Sequence, residues 1–319
     1  MKYSIGIDIG GTNTKFGLVN AEGKVIARER FNTTDHSDFK LYITEIAAML
    51  KKMMPASGEC VGVGVGAPNG NFYTGKIESA PNLPFPKNIA LPFVDELRSH
   101  MGLRHIYLTN DANAAALGEK IYGGAKDLEH FIMITLGTGL GSGIIIDGKL
   151  LYGADGAAGE LGHTIAIPNG RRCNCGCRGC LETYASATGI KKTFYEMMAV
   201  YGGNSSLKGM NWDEIDAYQI ELAAKTGDEI ALATYNYTGE ILGRSLAGFV
   251  AFSRPQELFI FGGPVKSGEL LLAPTRKSME ENLCPIWKGK IKITPSHLPE
   301  ADAAILGASS LVWDAIARE

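Results

Sequence analysis

A chain of 319 residues with a net charge of −3, 45% hydrophobic and 20% charged residues has the balance of a globular protein with room for two domains of ordinary size. That charge supplies no general attraction for nucleic acid; there is no basic run or basic amphipathic helix, and no apolar stretch is long enough to span a bilayer, so the expectation is no nucleic-acid and no membrane partner. Forty glycines stand well above the usual share of about 7%, and many punctuate apolar runs, where backbone must approach something closely.

The chain opens with strand patterns at Tyr3 to Ile7, Lys15 to Val19 and Lys24 to Arg30, separated by a glycine turn (Gly10, Gly11) and a polar turn (Asn20 to Gly23). This predicts an antiparallel meander. A helix of period 3.6 is predicted over Phe39 to Met53, followed by an apolar strand over Cys60 to Val65. Its valines alternate with glycines, leaving one face bare enough for backbone or ligand to approach. The first half is therefore mixed α/β.

The opening pattern recurs in the second half: a strand at Phe131 to Thr135, a glycine turn from Gly137 to Gly143 containing Thr138, a strand at Ile144 to Ile146, and a turn at Asp147 and Gly148 leading into Lys149 to Tyr152. Two copies of strand, Gly/Thr turn, strand imply an internal duplication. Helices are predicted over Tyr184 to Tyr201, Trp212 to Thr226 and Ile230 to Val250, then a buried strand at Leu258 to Phe261 ending in Gly262 and Gly263. A last helix, Ala303 to Ala317, is expected to be capped by Asp302 and to pack back on the first half.

Asp8, at the end of the first strand, precedes Gly10, Gly11, Thr12 and Asn13, a turn whose N–H groups can point at an anion while the carboxylate holds Mg²⁺ through water. Gly137, Thr138 and Gly139 open the matching turn in the second copy. Neither has the spacing and strand-to-helix context of a P-loop or a dinucleotide fingerprint. The run from Thr109 to Ala116 places Asn110, Asp111 and Asn113 at a helix start. One of them suffices to cap that helix; the cluster, followed by alanines that leave room, also fits a carboxylate base held ionised by the helix dipole.

His163 with Cys173, Cys175 and Cys180 supplies one imidazole and three thiolates, a donor set suited to a closed tetrahedral zinc site, bracketed by Glu160 and Glu182. Disulfides are the alternative, but six cysteines are too sparse for a disulfide framework, and MKYSIGIDIGG carries an aspartate where a leader needs an apolar core. A cytoplasmic location is expected. Cys177 is a fourth thiol in the run and could replace a neighbour as ligand.

GELGH at 159–163 followed by CNCGCRGCLE at 173–182, within a pattern running from Tyr3 to Ala317, resembles the ROK family of sugar kinases and repressors, most of all its glucose-phosphorylating members. The resemblance implies an α/β, two-lobed actin-like, hexokinase-like ATPase fold of duplicated ribonuclease-H-like domains with a structural zinc site. One lobe would be residues 1–115 completed by the C-terminal helix at 300–319, the other residues 116–299 with the zinc knot. It implies MgATP as donor, with Asp8 near Mg²⁺, Gly10 to Asn13 and Gly137 to Gly139 on the phosphates, Gly262 and Gly263 near adenosine, and Asp111 as catalytic base. Asn82, Asn110, Asp111, Glu160, His163 and Glu182 would contact sugar hydroxyls, and the assembly would be a homodimer. Glucose, phosphorylated at its 6-hydroxyl, is the expected acceptor; N-acetylglucosamine, N-acetylmannosamine, mannose and fructose are alternatives. The family's repressors carry a helix-turn-helix segment before the sugar domain, whereas here the first strand begins at residue 3, which favours the enzyme. Asn69 stands where members commonly have glycine, and its side chain is expected to add a polar contact to the sugar.

Overall fold

A computed structural model describes residues 1–55, 57–201 and 204–319. The meander forms as predicted from β1 (Lys2–Ile9), β2 (Asn13–Asn20) and β3 (Val25–Asn32), with Tyr3 opposite Asn20 and Asp8 opposite Lys15. Helix α1 (Phe39–Met53) starts where the Asp38 carboxylate accepts from the amides of Lys40 and Leu41. It buries Tyr42, Ile43, Ile46, Leu50 and Met53, the stripe that period 3.6 demands. Then come β4 (Glu59–Gly66), α2 (Phe93–Met101), β5 (Ile106–Thr109) and α3 (Asp111–Ile121). β4 pairs parallel with β1 and β5 parallel with β4, giving the order β3-β2-β1-β4-β5 over a core containing Ile5, Ile7, Val63, Val65 and the buried face of α1.

The second half repeats this plan with β6 (Phe131–Leu136), β7 (Leu140–Ile146) and β8 (Lys149–Leu150), then helices α4 (Ala187–Tyr201), α5 (Ala217–Lys225) and α6 (Glu229–Ser253). It closes with β9 (Glu257–Phe261), α7 (Glu269–Asn282), β10 (Lys292–Pro295) and α8 (Ala303–Ile316). The second sheet has the order β10-β9-β6-β7-β8, so from its other edge it reads meander, then two parallel strands, as in the first sheet. The duplication read from two glycine turns extends to all five strands of each sheet.

The chain divides into two compact units, residues 1–129 with 143–159 and 296–319, and residues 130–142 with 160–295. The first runs past the expected boundary at 115 to take in all of α3. Among the described residues no helix is long and apolar enough to cross a membrane.

Three local readings need correction. The glycine turn of the second copy is shorter than expected, because Gly141 and Gly143 lie inside β7; Gly143 is there since a side chain would come within 3.0 Å of the Ala112 carbonyl of α3. The predicted helix over Trp212 to Thr226 is split: Trp212–Glu214 is a single 3₁₀ turn, and Asp216 starts α5 in a capping box, accepting from Tyr218 and Gln219 amides while the Gln219 side chain takes the Asp216 amide. Asp302 precedes α8 but does not cap it, since both its oxygens are held at 2.7 Å by the Arg28 guanidinium.

Helix α8 packs on β1, β4 and α3 of its own unit, and the bare face of β4 is what admits it. A side chain at Gly64 would run into the Ala308 carbonyl and lie 3.2 Å from Leu311 Cβ. Gly64→Ala is therefore expected to destabilise the protein by about 1–3 kcal/mol or more through overpacking against helix backbone. A denaturant midpoint unchanged from the parent would contradict this.

Candidate active site

The registers of the first sheet assemble one row of groups. Asp8 lies beside Gly66, and Gly66 beside Thr109, at the carboxyl ends of parallel strands β1, β4 and β5. The loops that leave those ends carry Gly10 to Thr12, Asn69, and Asn110 with Asp111, at the edge where open α/β sheets bind ligands. The turn after β1 is closed by the Gly10 amide on Asn13 O at 2.9 Å and braced by the Thr33 amide on Thr12 O at 2.8 Å. Gly11 packs under the loop bearing Asn82, where a side chain would approach the Asn82 carbonyl to 2.7 Å. These expected residues all belong to the first unit.

Asn110, not Asp111, caps α3: its Oδ1 accepts from the Asn113 amide at 2.7 Å. Asp111 sits one residue inside, its carboxylate accepting from the adjacent Ala112 amide at 2.9 Å. Its carboxylate reaches solvent but is enclosed by protein on its other sides, and this desolvation raises its pKa above the ordinary carboxylate value. Asp8 is also raised, by burial first, with Lys15 pulling it down and the charge of Asp111 pushing it up. Lys15 Nζ lies 3.7 Å from Asp8 Oδ2. Sequence reasoning missed this lysine; its signal is the hairpin register, which puts residue 15 opposite residue 8 once the turn at 10–12 is fixed.

Asn69 has φ 52°, a left-handed conformation that asparagine tolerates better than most residues. Its Nδ2 donates to Ser79 O at 3.0 Å, and its own carbonyl accepts from the Glu78 amide, so this side chain ties down the loop that leads to Asn82. Its Oδ1 and second Nδ2 hydrogen are the groups left for the expected sugar contact.

In the second unit, β6 and β9 run parallel with Thr135 beside Phe261, so Gly137 to Gly139 and Gly262 with Gly263 leave the same edge. Gly262 has φ 118° and lies against the Leu136 carbonyl, a position open only to glycine. The Gly137 amide bonds Gly139 O at 3.0 Å, closing a tight turn, and Glu182 Oε2 lies 2.5 Å from where a side chain on Gly139 would begin.

The zinc-type cluster forms with the expected membership. Ligand atoms of His163, Cys173, Cys175 and Cys180 all lie within 4.8 Å of one another, and Cys177 is not among them. Cys175 and Cys180 sulfurs are 3.6 Å apart, and Cys173 Sγ is 3.7 Å from His163 Nδ1. Metal–ligand distances near 2.3 and 2.0–2.1 Å in a tetrahedron require edges of about 3.6–3.8 Å, so the residues fit zinc. The Cys177 amide, with help from neighbouring thiols, pulls the Cys175 thiol down to about 7, whereas burial first and then Glu182 push Cys173 up. Glu182 Oε1 accepts from Cys173 Sγ at 2.9 Å and lies 3.7 Å from His163 Nδ1, and Glu160 is one turn before the histidine, whose amide bonds Glu160 O.

Two copies of one five-stranded plan, each opening a glycine turn at the carboxyl ends of its parallel strands, define the duplicated α/β fold of sugar kinases. The chain belongs to the ROK family, whose family model matches residues 4–315. It is 36% identical over 314 residues to a glucokinase of Thermotoga maritima, covering 98% of both proteins. It is 31% identical to a xylose repressor of Caldicellulosiruptor bescii, covering 97% of this chain and 77% of the repressor. Among solved structures, a ROK family glucokinase from Streptomyces griseus in complex with glucose and AMPPNP superposes with a TM-score of 0.80 at 31% identity, over 98% of this chain and 99% of that one.

Proposed function

We propose that this protein transfers the γ-phosphoryl group of ATP to the 6-hydroxyl of glucose. The observation that carries the reading is the division of labour at the start of α3: Asn110 caps the helix, which leaves Asp111 a solvent-reaching carboxylate of raised pKa beside Asp8. Similarity to glucokinases over nearly the full length supports the choice of sugar.

In this reading Asp111 accepts the proton of the 6-hydroxyl as its oxygen attacks the γ-phosphorus, a role that needs a carboxylate basic enough to take the proton yet ionised near neutral pH. In the turns Gly10 to Asn13 and Gly137 to Gly139, the amides of Gly10 and Gly137 close the turns on Asn13 O and Gly139 O, and the remaining amides bind phosphate oxygens, while the strand end at Gly262 and Gly263 lies along the adenosine. A single carboxylate, Asp8, suits a divalent ion held through water rather than in a protein cage, so it would hold Mg²⁺ arriving with ATP. That ion, when bound, neutralises charge on the phosphates. Asn82, Asn110, Glu160, His163 and Glu182 pair with sugar hydroxyls, and a sugar lacking the matching hydroxyls leaves these groups unpaired and is rejected.

Zinc would be held by His163, Cys173, Cys175 and Cys180 and would act structurally. With Nδ1 turned to the cysteines, Nε2 of His163 is the nitrogen left for the sugar. A cytoplasmic homodimer completes the proposal.

A coupled ADP-release assay over a sugar panel tests the function. Glucose is expected to give the highest kcat/KM, with mannose, fructose, N-acetylglucosamine and N-acetylmannosamine below it. An N-acetylated hexosamine in first place would overturn the choice of glucose while leaving a kinase, and Asn69→Gly would then be the informative variant. Binding of sugar without turnover on any member would overturn the enzyme reading.

A further inference from the structure

We propose that Arg171 is a positioning residue for sugar binding, acting through Glu182. Every one of the five guanidinium donors is used. Nη1 donates to the carbonyls of Thr183 at 2.6 Å and Gly189 at 3.3 Å, Nη2 to Thr193 Oγ1 at 2.9 Å and Glu196 Oε2 at 2.5 Å, and Nε to Glu196 Oε1 at 2.9 Å. The guanidinium also lies over the Tyr184 ring, 4.3 Å from its centroid, and the side chain is only 10% exposed. A surface ion pair needs none of this.

What Arg171 holds is the short 3₁₀ turn Leu181–Thr183 and the start of α4. Thr183 is the residue after Glu182, and the Glu182 carbonyl is itself fixed by Ser186 Oγ at 2.6 Å. The turn is thus pinned at Glu182 and at the residue after it, and the Glu182 side chain reaches from the cysteine cluster to the Gly139 turn. Toward the zinc knot Arg171 offers its backbone: its carbonyl accepts from the Gly179 amide at 2.8 Å, while its amide donates to Tyr184 Oη at 2.9 Å. Removing the side chain therefore loosens the orientation of Glu182 while sparing the metal ligands. Lysine cannot substitute fully, since an ammonium has three donors and no planar fork to span two carbonyls, a hydroxyl and a carboxylate.

The inference rests on Glu182 meeting the sugar, as proposed above, and the test separates the two. Glu182→Gln, Arg171→Ala, Arg171→Lys and Glu196→Gln are compared for glucose KM, ATP KM, kcat and zinc content. Arg171→Ala is expected to raise glucose KM by roughly 10- to 100-fold with ATP KM unchanged and about one zinc per chain retained. Arg171→Lys and Glu196→Gln should move glucose KM in the same direction by less, and they carry the test should the alanine variant fail to fold. If Glu182→Gln raises glucose KM but the Arg171 and Glu196 variants only lower Tm, the positioning role is overturned. If Glu182→Gln leaves glucose KM unchanged, the reading of Glu182 as a sugar contact is overturned, and this inference with it.

Discussion

Asp111→Asn is expected to lower kcat by roughly 10²- to 10⁴-fold while leaving a folded protein that still binds glucose. Asparagine preserves the shape and the acceptor oxygen that meets the Ala112 amide, but it cannot take the proton of the 6-hydroxyl. The cap of α3 is untouched, because it belongs to Asn110. The direction of the stability change follows from the raised pKa. A carboxyl whose folded pKa lies above its unfolded value favours folding while protonated, and that contribution is lost as pH rises through the folded pKa. Ionised Asp111 is thus a net cost at neutral pH, so the asparagine variant should melt at or above the parent there, with the difference vanishing in acid. The same carboxyl should set the acid limb of kcat/KM in the parent, activity falling as it is protonated. A variant that keeps most of the parent turnover would remove Asp111 from the mechanism.

Much of this site was legible in the sequence because its chemistry is local. The candidate zinc ligands fall within a single stretch from His163 to Cys180, and donor type pointed to that stretch, although only the folded knot separates Cys177 from the other three thiols. The strands of both meanders were legible from alternation and turn residues. What escaped depends on distant packing. The split before α5 is decided by a capping box at Asp216 that a continuous apolar pattern conceals. Asp302 has the chemistry of an N-cap, yet its oxygens are claimed by Arg28, 274 residues away in the chain. Lys15 gains its meaning from pairing across a hairpin, and Arg171 from contacts on the following turn and helix; neither position has a local pattern that sets it apart from a surface cation.

The cysteine variants give the second large effect. Cys180→Ser is expected to reduce zinc from about one per chain to well below that, to lower Tm, and to raise glucose KM roughly 10-fold or more, because a buried thiolate ligand is replaced by a hydroxyl that binds zinc poorly. The loss should reach the sugar through two connections. His163 is both a member of the cluster and, by its other ring nitrogen, a proposed sugar ligand, and Glu182 lies two residues beyond Cys180 on the 3₁₀ turn Leu181–Thr183 that starts at that cysteine. Cys177→Ser is the matched control. Its thiol is exposed and stands outside the cluster, so zinc content and glucose KM should stay at parent values. Metal analysis and glucose kinetics on protein purified under reducing conditions decide the matter. Zinc lost from the Cys177 variant would exchange the ligand set, whereas an active parent enzyme holding no zinc would leave Glu182 and His163 to be positioned by protein contacts alone.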